Sequence, residues 1–446
     1  MDTKTTTWRF PRAFWVANGA ELFERAAFYG TFIALALYLT RVVGLSDHAA
    51  GWVAGLFGAL LYLFPFFTGA LADRMGFRAA LILAFALLAA GYGSLGFFHS
   101  LGMVLPALFF IVLGGAFVKP IITGTVAKSS DAVNRARAYS IFYMMVNIGS
   151  FSGKTVVKSI REDLGVGLVP RFSAAMALAA LVWVILFYHP PARKGEERPG
   201  SMRETLKGML QALSNGRFLA FILITACFWT IQHQLYASMP KYVLRLVGEH
   251  AAPEWYANVN PLVVVLLVIP ITQLVRRWRA EAALTVSMAL VGAAALVMAL
   301  SRLFTGHFHL LGLTLHPITV TMIGGIVVLG VAECFLSPKY LEFASRQAPP
   351  GKEGLFLGYA HINSFFANLL GFVSSGYLLE AFCPDPHTLP AAQQAAREAA
   401  LAGKGTMPGV YAHAHYIWYA YAGLGFLAFL ALMVLFVLSG KKAQQT

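Results

Sequence analysis

Twelve apolar stretches, each long enough to cross a hydrocarbon layer, leave this chain few folds to choose from. They fall near residues 13–40, 51–71, 79–98, 102–124, 138–157 and 170–188, then near 217–243, 258–275, 282–301, 317–343, 355–379 and 414–438. A bilayer core takes about 20 residues of helix to span, and a backbone inside it must satisfy its own polar groups. An all-α, multi-pass membrane protein with twelve transmembrane helices is therefore expected. Composition agrees: 58% of the 446 residues are hydrophobic and 12% charged, against about 45–50% and 25% in a soluble domain. The formal charge of +14 is read as the excess of Lys and Arg in cytoplasmic loops rather than as a nucleic-acid footprint. Those residues concentrate in the segments that place both termini inside, so the expected orientation is N-in and C-in, in the inner (plasma) membrane of the cell. The first span is expected to stay as an anchor, because no small-residue cleavage site follows a charged leader. Cys227, Cys334 and Cys383 are too few and too scattered for a disulfide framework or a zinc site.

The spans fall into two sets of six. Residues 1–189 are expected to form one six-helix bundle, and 217–446 a second. Between them 190–216, charged and proline-containing, reads as a cytoplasmic linker. In the long loop Ala381–His413, the Ala/Gln-rich piece Ala391–Leu401 reads as a short surface helix.

Charges inside the spans mark the candidate site. Glu21, Glu24 and Arg25 interrupt an apolar run from Phe14 to Leu39. A charge at mid-bilayer costs about 2.5–3.5 kcal/mol on insertion scales, so a retained one faces a bundle interior or a water-filled cavity. Glu21 and Arg25 have the i, i+4 spacing of a helical ion pair. The fourth span places Lys119 before Pro120, and the tenth places Glu333 before Ser337 and Pro338. Interrupted helices at corresponding positions of two halves point to a transport path. At about 1.5 Å per residue, Lys119 and Glu333 lie at one depth, on the cytoplasmic side. Arg25 and His233 share another in the outer half, so two cross-bundle pairs, one inner and one outer, are expected. In the fifth span Asn147, Phe151, Lys154 and Lys158 share a helical face. Lys154 is the deeper lysine and the better candidate for an anionic group, while Lys158 is near enough an interface to snorkel.

The loop Gly69-Ala-Leu-Ala-Asp73-Arg74-Met-Gly-Phe-Arg78 resembles the cytoplasmic loop signature of the major facilitator superfamily. Its glycines permit a tight turn, and Asp73, Arg74 and Arg78 can meet helix ends and neighbouring charges. A conformational role is expected for Gly69, Asp73, Arg74 and Arg78. The superfamily implies two six-helix bundles with a substrate site near the midplane.

Six motifs in order resemble the proton-dependent oligopeptide transporter family, also called the peptide transporter or nitrate/peptide family. They are Glu21 to Gly30, Tyr62-Leu-Phe-Pro65 leading to Gly69, Gly114 to Pro120, Phe142 to Ser150, Asn260-Pro261 with Pro270, and Glu333 to Pro338. That resemblance implies proton coupling through Glu21, Glu24 and Arg25. It implies that Arg25 and Lys119 meet a substrate carboxylate, and that Glu333 meets an amino end or gates with Lys119. Tyr29, Tyr62, Asn147 and Asn260 become cavity residues, beside Lys154 from the helical face. Three departures stand out. Ala26 replaces a phenylalanine, the linker is too short for the two extra helices many bacterial members carry, and His233 stands where a glutamate usually pairs with the helix 1 arginine. His233 is then a pH-sensitive replacement in coupling and binding, and simple dipeptides become a less assured cargo.

The expected function is a proton-coupled symporter importing small peptides or peptide-like organic anions by alternating access, with nitrate or another small anion or carboxylate as the alternative. No nucleophile–base pair argues for an enzyme. No cofactor is expected beyond the coupling proton, no metal, and no partner beyond a small-molecule substrate and the lipid bilayer; a monomer is expected. His307 with His309 and His413 with His415 could hold a metal only if they converged, and solvated loop histidines are the preferred reading.

Overall fold

The computed structural model describes residues 9–131, 134–190, 207–208, 210–211, 213–304, 306–310, 312–346 and 359–443. Most of the expected linker 190–216 and the first residues of the span at 355–379 lie outside them. The first set of helices is α1 (Arg12–Arg41), α2 (Asp47–Leu63), α3 (Pro65–Met75), α4 (Phe77–Phe97), α5 (Leu101–Lys128), α6 (Arg135–Ser159) and α7 (Val169–Phe187). The second is α8 (Gly216–Gln232), α9 (Gln234–Ala237), α10 (Met239–Leu246), α11 (Pro253–Leu274), α12 (Ala280–Ala299), α13 (Pro317–Arg346), α14 (Ile362–Phe382), α15 (Ala391–Leu401) and α16 (Tyr416–Ala443). A two-stranded antiparallel hairpin, β1 (Phe308–Leu310) with β2 (Leu313–Leu315), sits between α12 and α13. The short helix expected at Ala391–Leu401 is α15.

Among the described residues ten helices are long and apolar enough to cross a membrane, and an eleventh if α2 and α3 form one span. Those two meet at 48°, at Phe64 before Pro65, because proline donates no hydrogen bond to the preceding turn and its ring crowds that turn. The remaining expected span is α6, whose 25 residues suffice in length but carry Asn147, Lys154, Lys158 and several serines. The span expected at 217–243 is not one straight helix: it pauses at His233 and again at Ser238, ahead of Pro240.

By contact the chain divides into two units, one of Met1–Val43 with Leu60–Lys207 and the other of Gly44–Ala59 with Gly208–Thr446. In the first, α1 is the buried centre, and small residues let α6 approach it. A Cβ on Gly149 of α6 would lie 2.6 Å from the Leu22 carbonyl oxygen and 2.8 Å from the Arg25 Cβ, and one on Gly153 would strike the backbone of Ala26. On another side Trp183 of α7 donates to the Val16 carbonyl at 3.0 Å, and Thr31 meets Ser173 at 2.8 Å. Helix α5 runs unbroken through Pro120. The proline lacks the N–H that the Ala116 carbonyl needs, and buried Thr68 of α3 donates its hydroxyl there at 2.7 Å, so the freed acceptor is satisfied within the fold. At the α3–α4 turn Gly76 has φ +82°, a left-handed conformation suited to glycine. Arg78 beyond it donates to the Ile185 carbonyl in the last turn of α7 at 2.8 Å, the meeting of an arginine with a helix end expected of that loop.

In the second unit the first turns of α2 pack on α14 through glycines. A Cβ on Gly51 would lie 2.5 Å from the Phe372 carbonyl oxygen, one on Gly55 3.1 Å from the Leu369 carbonyl oxygen, and one on Gly376 2.5 Å from the Asp47 carbonyl oxygen. Small residues at such spacing let helix backbones approach closely.

Candidate functional site

In the first unit the charged residues of α1 form a buried cluster. Glu21 and Glu24 are each 2% exposed, and Arg25 bridges them, with Nε 3.2 Å from Glu21 Oε1 and a closer bond to Glu24 Oε2. The i, i+4 pair read from the sequence is present, and Glu24 joins it. Glu21 Oε2 is buried without a hydrogen-bond partner among the described residues. The Arg25 guanidinium lies over the rings of Phe28 and Tyr29, at 5.3 and 5.9 Å, where the aromatic faces offset some of its lost hydration.

Two lysines reach the same region. Lys154 of α6, 1% exposed, has its Nζ 5.7 Å from the centre of the Tyr29 ring, a placement that the Gly149 and Gly153 contacts with α1 allow. Lys119 of α5 is 5.7 Å from the Tyr62 ring and close enough to Arg25, Glu21 and Glu24 to feel their charges. The first unit thus gathers Glu21, Glu24, Arg25, Tyr29, Tyr62, Lys119 and Lys154. Asn147 spends its amide on its own helix, donating to the Tyr143 carbonyl at 2.8 Å. Lys158 pairs with Glu162, one helical turn on.

The second unit holds a smaller polar set. Glu333 Oε2 accepts from Gln232 Nε2 and Asn260 Nδ2, each at 2.9 Å. Gln232 also lies 3.4 Å from Asn260, and its Oε1 is buried without a partner among the described residues. Glu333 and Asn260 stand out in the sequence; Gln232 does not. Its signal is an uncharged amide inside a membrane span, one residue before His233. His233 is turned to its own helix: Nδ1 donates to the Trp229 carbonyl at 2.5 Å, which places the ring proton on that nitrogen. The pairs expected between Lys119 and Glu333 and between Arg25 and His233 each take one member from each unit. Among the described residues no group of three or more metal-ligating side chains gathers. His307 lies against His316 rather than against His413 or His415.

These features define a multi-pass membrane transporter with charged clusters at the core of its helices. The sequence matches the Major Facilitator Superfamily over residues 19–371, and the chain belongs to that superfamily, a family of transporters and not of enzymes. Among its sequence relatives are the multidrug resistance proteins MdtH of Salmonella typhi and Salmonella newport, each 25% identical over 364 residues that cover 79% of this chain and 83% of the relative. Among solved structures it has the fold of a peptide transporter POT in complex with sulfate, at a TM-score of 0.72 and 18% identity over 97% of this chain and 95% of that one. A bacterial homologue of the human drug peptide transporters PepT1 and PepT2 aligns at a TM-score of 0.73 and 18% identity, over 98% and 99% of the two chains. A POT family transporter in complex with 5-aminolevulinic acid aligns at 0.70 and 17%, over 97% and 96%.

Proposed function

We propose that the protein is a proton-coupled symporter that imports small peptides or peptide-like organic anions by alternating access. The observation that carries this reading is the α1 cluster, in which one arginine is shared by two buried carboxylates and one carboxylate oxygen, Glu21 Oε2, has no hydrogen-bond partner among the described residues. That oxygen is where the chain can take up a proton. Once Glu21 is neutral, Arg25 loses part of its counter-charge and is free, with Lys119, to accept a substrate carboxylate. Lys154 adds a second cation beside Tyr29. Glu333 and the open Oε1 of Gln232 are acceptors suited to an ammonium group. Gating by Lys119 and Glu333, a part in coupling for His233, cavity roles for Tyr29, Tyr62, Asn147 and Asn260, and conformational roles for Gly69, Asp73, Arg74 and Arg78 belong to the same reading. The two bundles are taken as 1–189 and 217–446, joined by 190–216. Support from fold comes from the POT structures, one solved with 5-aminolevulinic acid, which carries both an amine and a carboxylate.

An inward proton contributes about 2.3 kcal/mol per 100 mV of membrane potential, enough for useful accumulation. Proteoliposomes with an imposed pH gradient should accumulate labelled di- and tripeptides or 5-aminolevulinic acid. Glu21→Gln should abolish the response to the gradient, and Lys119→Ala should cut uptake at least tenfold. Gradient-independent uptake by the wild type sinks the coupling. A second reading, proton-driven drug export, is favoured by the multidrug resistance relatives. It predicts efflux of lipophilic cations from the same vesicles and indifference to peptides. Nitrate or another small anion is the further alternative, read by gradient-driven nitrate uptake.

A further inference from the structure

One cavity of the second unit is used by none of this. About 440 Å³ in volume, it lies where α12 ends and α13 and α16 begin, and Arg302, His307, His316 and His415 reach it alongside Tyr242 and Tyr411. Among the described residues no carboxylate lines it. The His307 and His316 rings meet edge to face with centres 5.6 Å apart, at the open end of the hairpin beyond the Phe308–Leu315 pair. His316 Nδ1 accepts from the backbone N–H of Ile318 at 3.2 Å, so a neutral ring carries its proton on Nε2 and is a donor. Burial and the nearby His307 hold His316 below the usual histidine range, which keeps it in that neutral form. His415 is 7% exposed and touches aromatic rings of Tyr416 and Tyr419; its carbonyl accepts from Trp418 and Tyr419, while its ring nitrogens have no hydrogen-bond partner among the described residues. Arg302 lies near enough for its charge to be felt at His415 and has no ion-pair partner among them.

Four basic side chains around one cavity, with no acid among them, repel one another whenever they charge. An anion in their midst reverses the sign of that interaction. Ligand cavities typically run about 300–1,000 Å³ and combine an apolar lining with a few placed polar groups; Tyr242, Leu246 and Ile318 supply such a lining here. We infer that this cavity is a binding site for an oxyanion borne on a small apolar body, held by Arg302 and the N–H groups of His316 and His415. A free organic carboxylate and the phosphate of an anionic lipid share that chemistry, and Leu303 and Phe304, exposed beside the cavity, make the lipid a real competitor. The site is independent of the transport reading.

The test uses benzoate as the soluble probe and histidine acylation by diethyl pyrocarbonate, read peptide by peptide, as the footprint. In detergent free of anionic lipid, benzoate should slow acylation of His316 and His415 at least threefold and leave exposed His189, in the other unit, unchanged. Arg302→Gln should remove the protection and Arg302→Lys restore part of it. The same experiment in a Lys119→Ala background should protect equally, which separates this site from the proposed transport residues. In nanodiscs, protection by phosphatidylglycerol without benzoate assigns the site to lipid. Protection that needs benzoate assigns it to a solute. The inference is overturned if neither probe protects the two histidines in the wild type, or if Arg302→Gln, folded by thermal unfolding, is protected as fully as the wild type.

Discussion

At the scale of single residues, the second-unit site depends on Gln232. Its Nε2 is one of two amide donors to Glu333, and a hydrogen bond to a charged group contributes about 1.5–3 kcal/mol. Gln232→Leu removes the donor and leaves the helix intact, so Glu333 keeps only Asn260. The variant should unfold at a lower temperature, and if Glu333 holds the amine of a substrate, KM should rise at least fivefold with kcat less changed. An unchanged KM for an amine-bearing substrate, beside normal binding of a simple carboxylate, would detach Gln232 from recognition. The contrast between Gln232 and its neighbour shows how far a sequence carries. Glu21, Glu24, Arg25, Lys119 and Glu333 were legible because an ionisable group in an apolar run needs a reason. Gln232 is neutral and stood beside the more conspicuous His233. That histidine bonds to the carbonyl of Trp229, four residues back in its own helix, an outcome residue type alone does not reveal.

At the scale of elements, the long apolar runs translated directly into helices, Phe14–Leu39 lying inside Arg12–Arg41. Interruptions were harder to read, because a proline's effect depends on what lies next to it. Pro65 bends its span by 48°. Pro120 leaves α5 continuous, with Thr68 from another helix donating to the acceptor it frees. Thr68→Val leaves that carbonyl buried and unsatisfied, a cost of about 1–3 kcal/mol. In a Pro120→Ala background the alanine N–H bonds Ala116 directly, and the loss on Thr68→Val should shrink to a fraction of that. Equal losses in the two backgrounds would mean the hydroxyl serves something else, a comparison that a double-mutant cycle makes cleanly. Glycine repeats the lesson. Gly153→Ala drives a methyl into the backbone of Ala26 and should cost about 1–3 kcal/mol by overpacking, with transport falling because Lys154 moves off Tyr29. Gly93, inside α4 with open space where its Cβ would be, should accept alanine with no loss and a gain of about 0.5–1 kcal/mol. Thermal unfolding of the two variants side by side gives the answer.

At the scale of the whole molecule, contacts join residues that no local pattern connects. Asp47, at the start of α2, is 5% exposed. It accepts from Lys241 at 2.8 Å and, through both oxygens, from Arg245 at 2.8 and 2.9 Å. Arg245 also reaches Asp385 at 3.1 Å and the Cys383 carbonyl at 2.5 Å, and Arg397 of α15 donates to the carbonyls of Arg245 and Leu244 at 2.8 and 3.0 Å. The 381–413 loop, which offered no function as a sequence, is thus fastened over the end of α10 by a buried ionic network. Nearly two hundred residues separate Asp47 from its partners, so no spacing rule could have paired them. Removing one member of a buried pair leaves uncompensated charge and costs about 3–5 kcal/mol, so Asp47→Asn should lower the unfolding temperature markedly. Cys383 reports the same event chemically. It is wholly buried, and burial pushes its thiol up to about 12 against the pull of Arg245. The nucleophile is the thiolate, so at pH 7.5 Cys383 should resist a maleimide both by access and by charge state. If the Asp47 network holds the loop down, Asp47→Asn should raise the labelling rate at Cys383, read by mass spectrometry, at least tenfold, while buried Cys334 of α13 stays slow. A variant that loses stability yet labels Cys383 at the wild-type rate would show that the network stabilises the ends of the helices without fastening the loop.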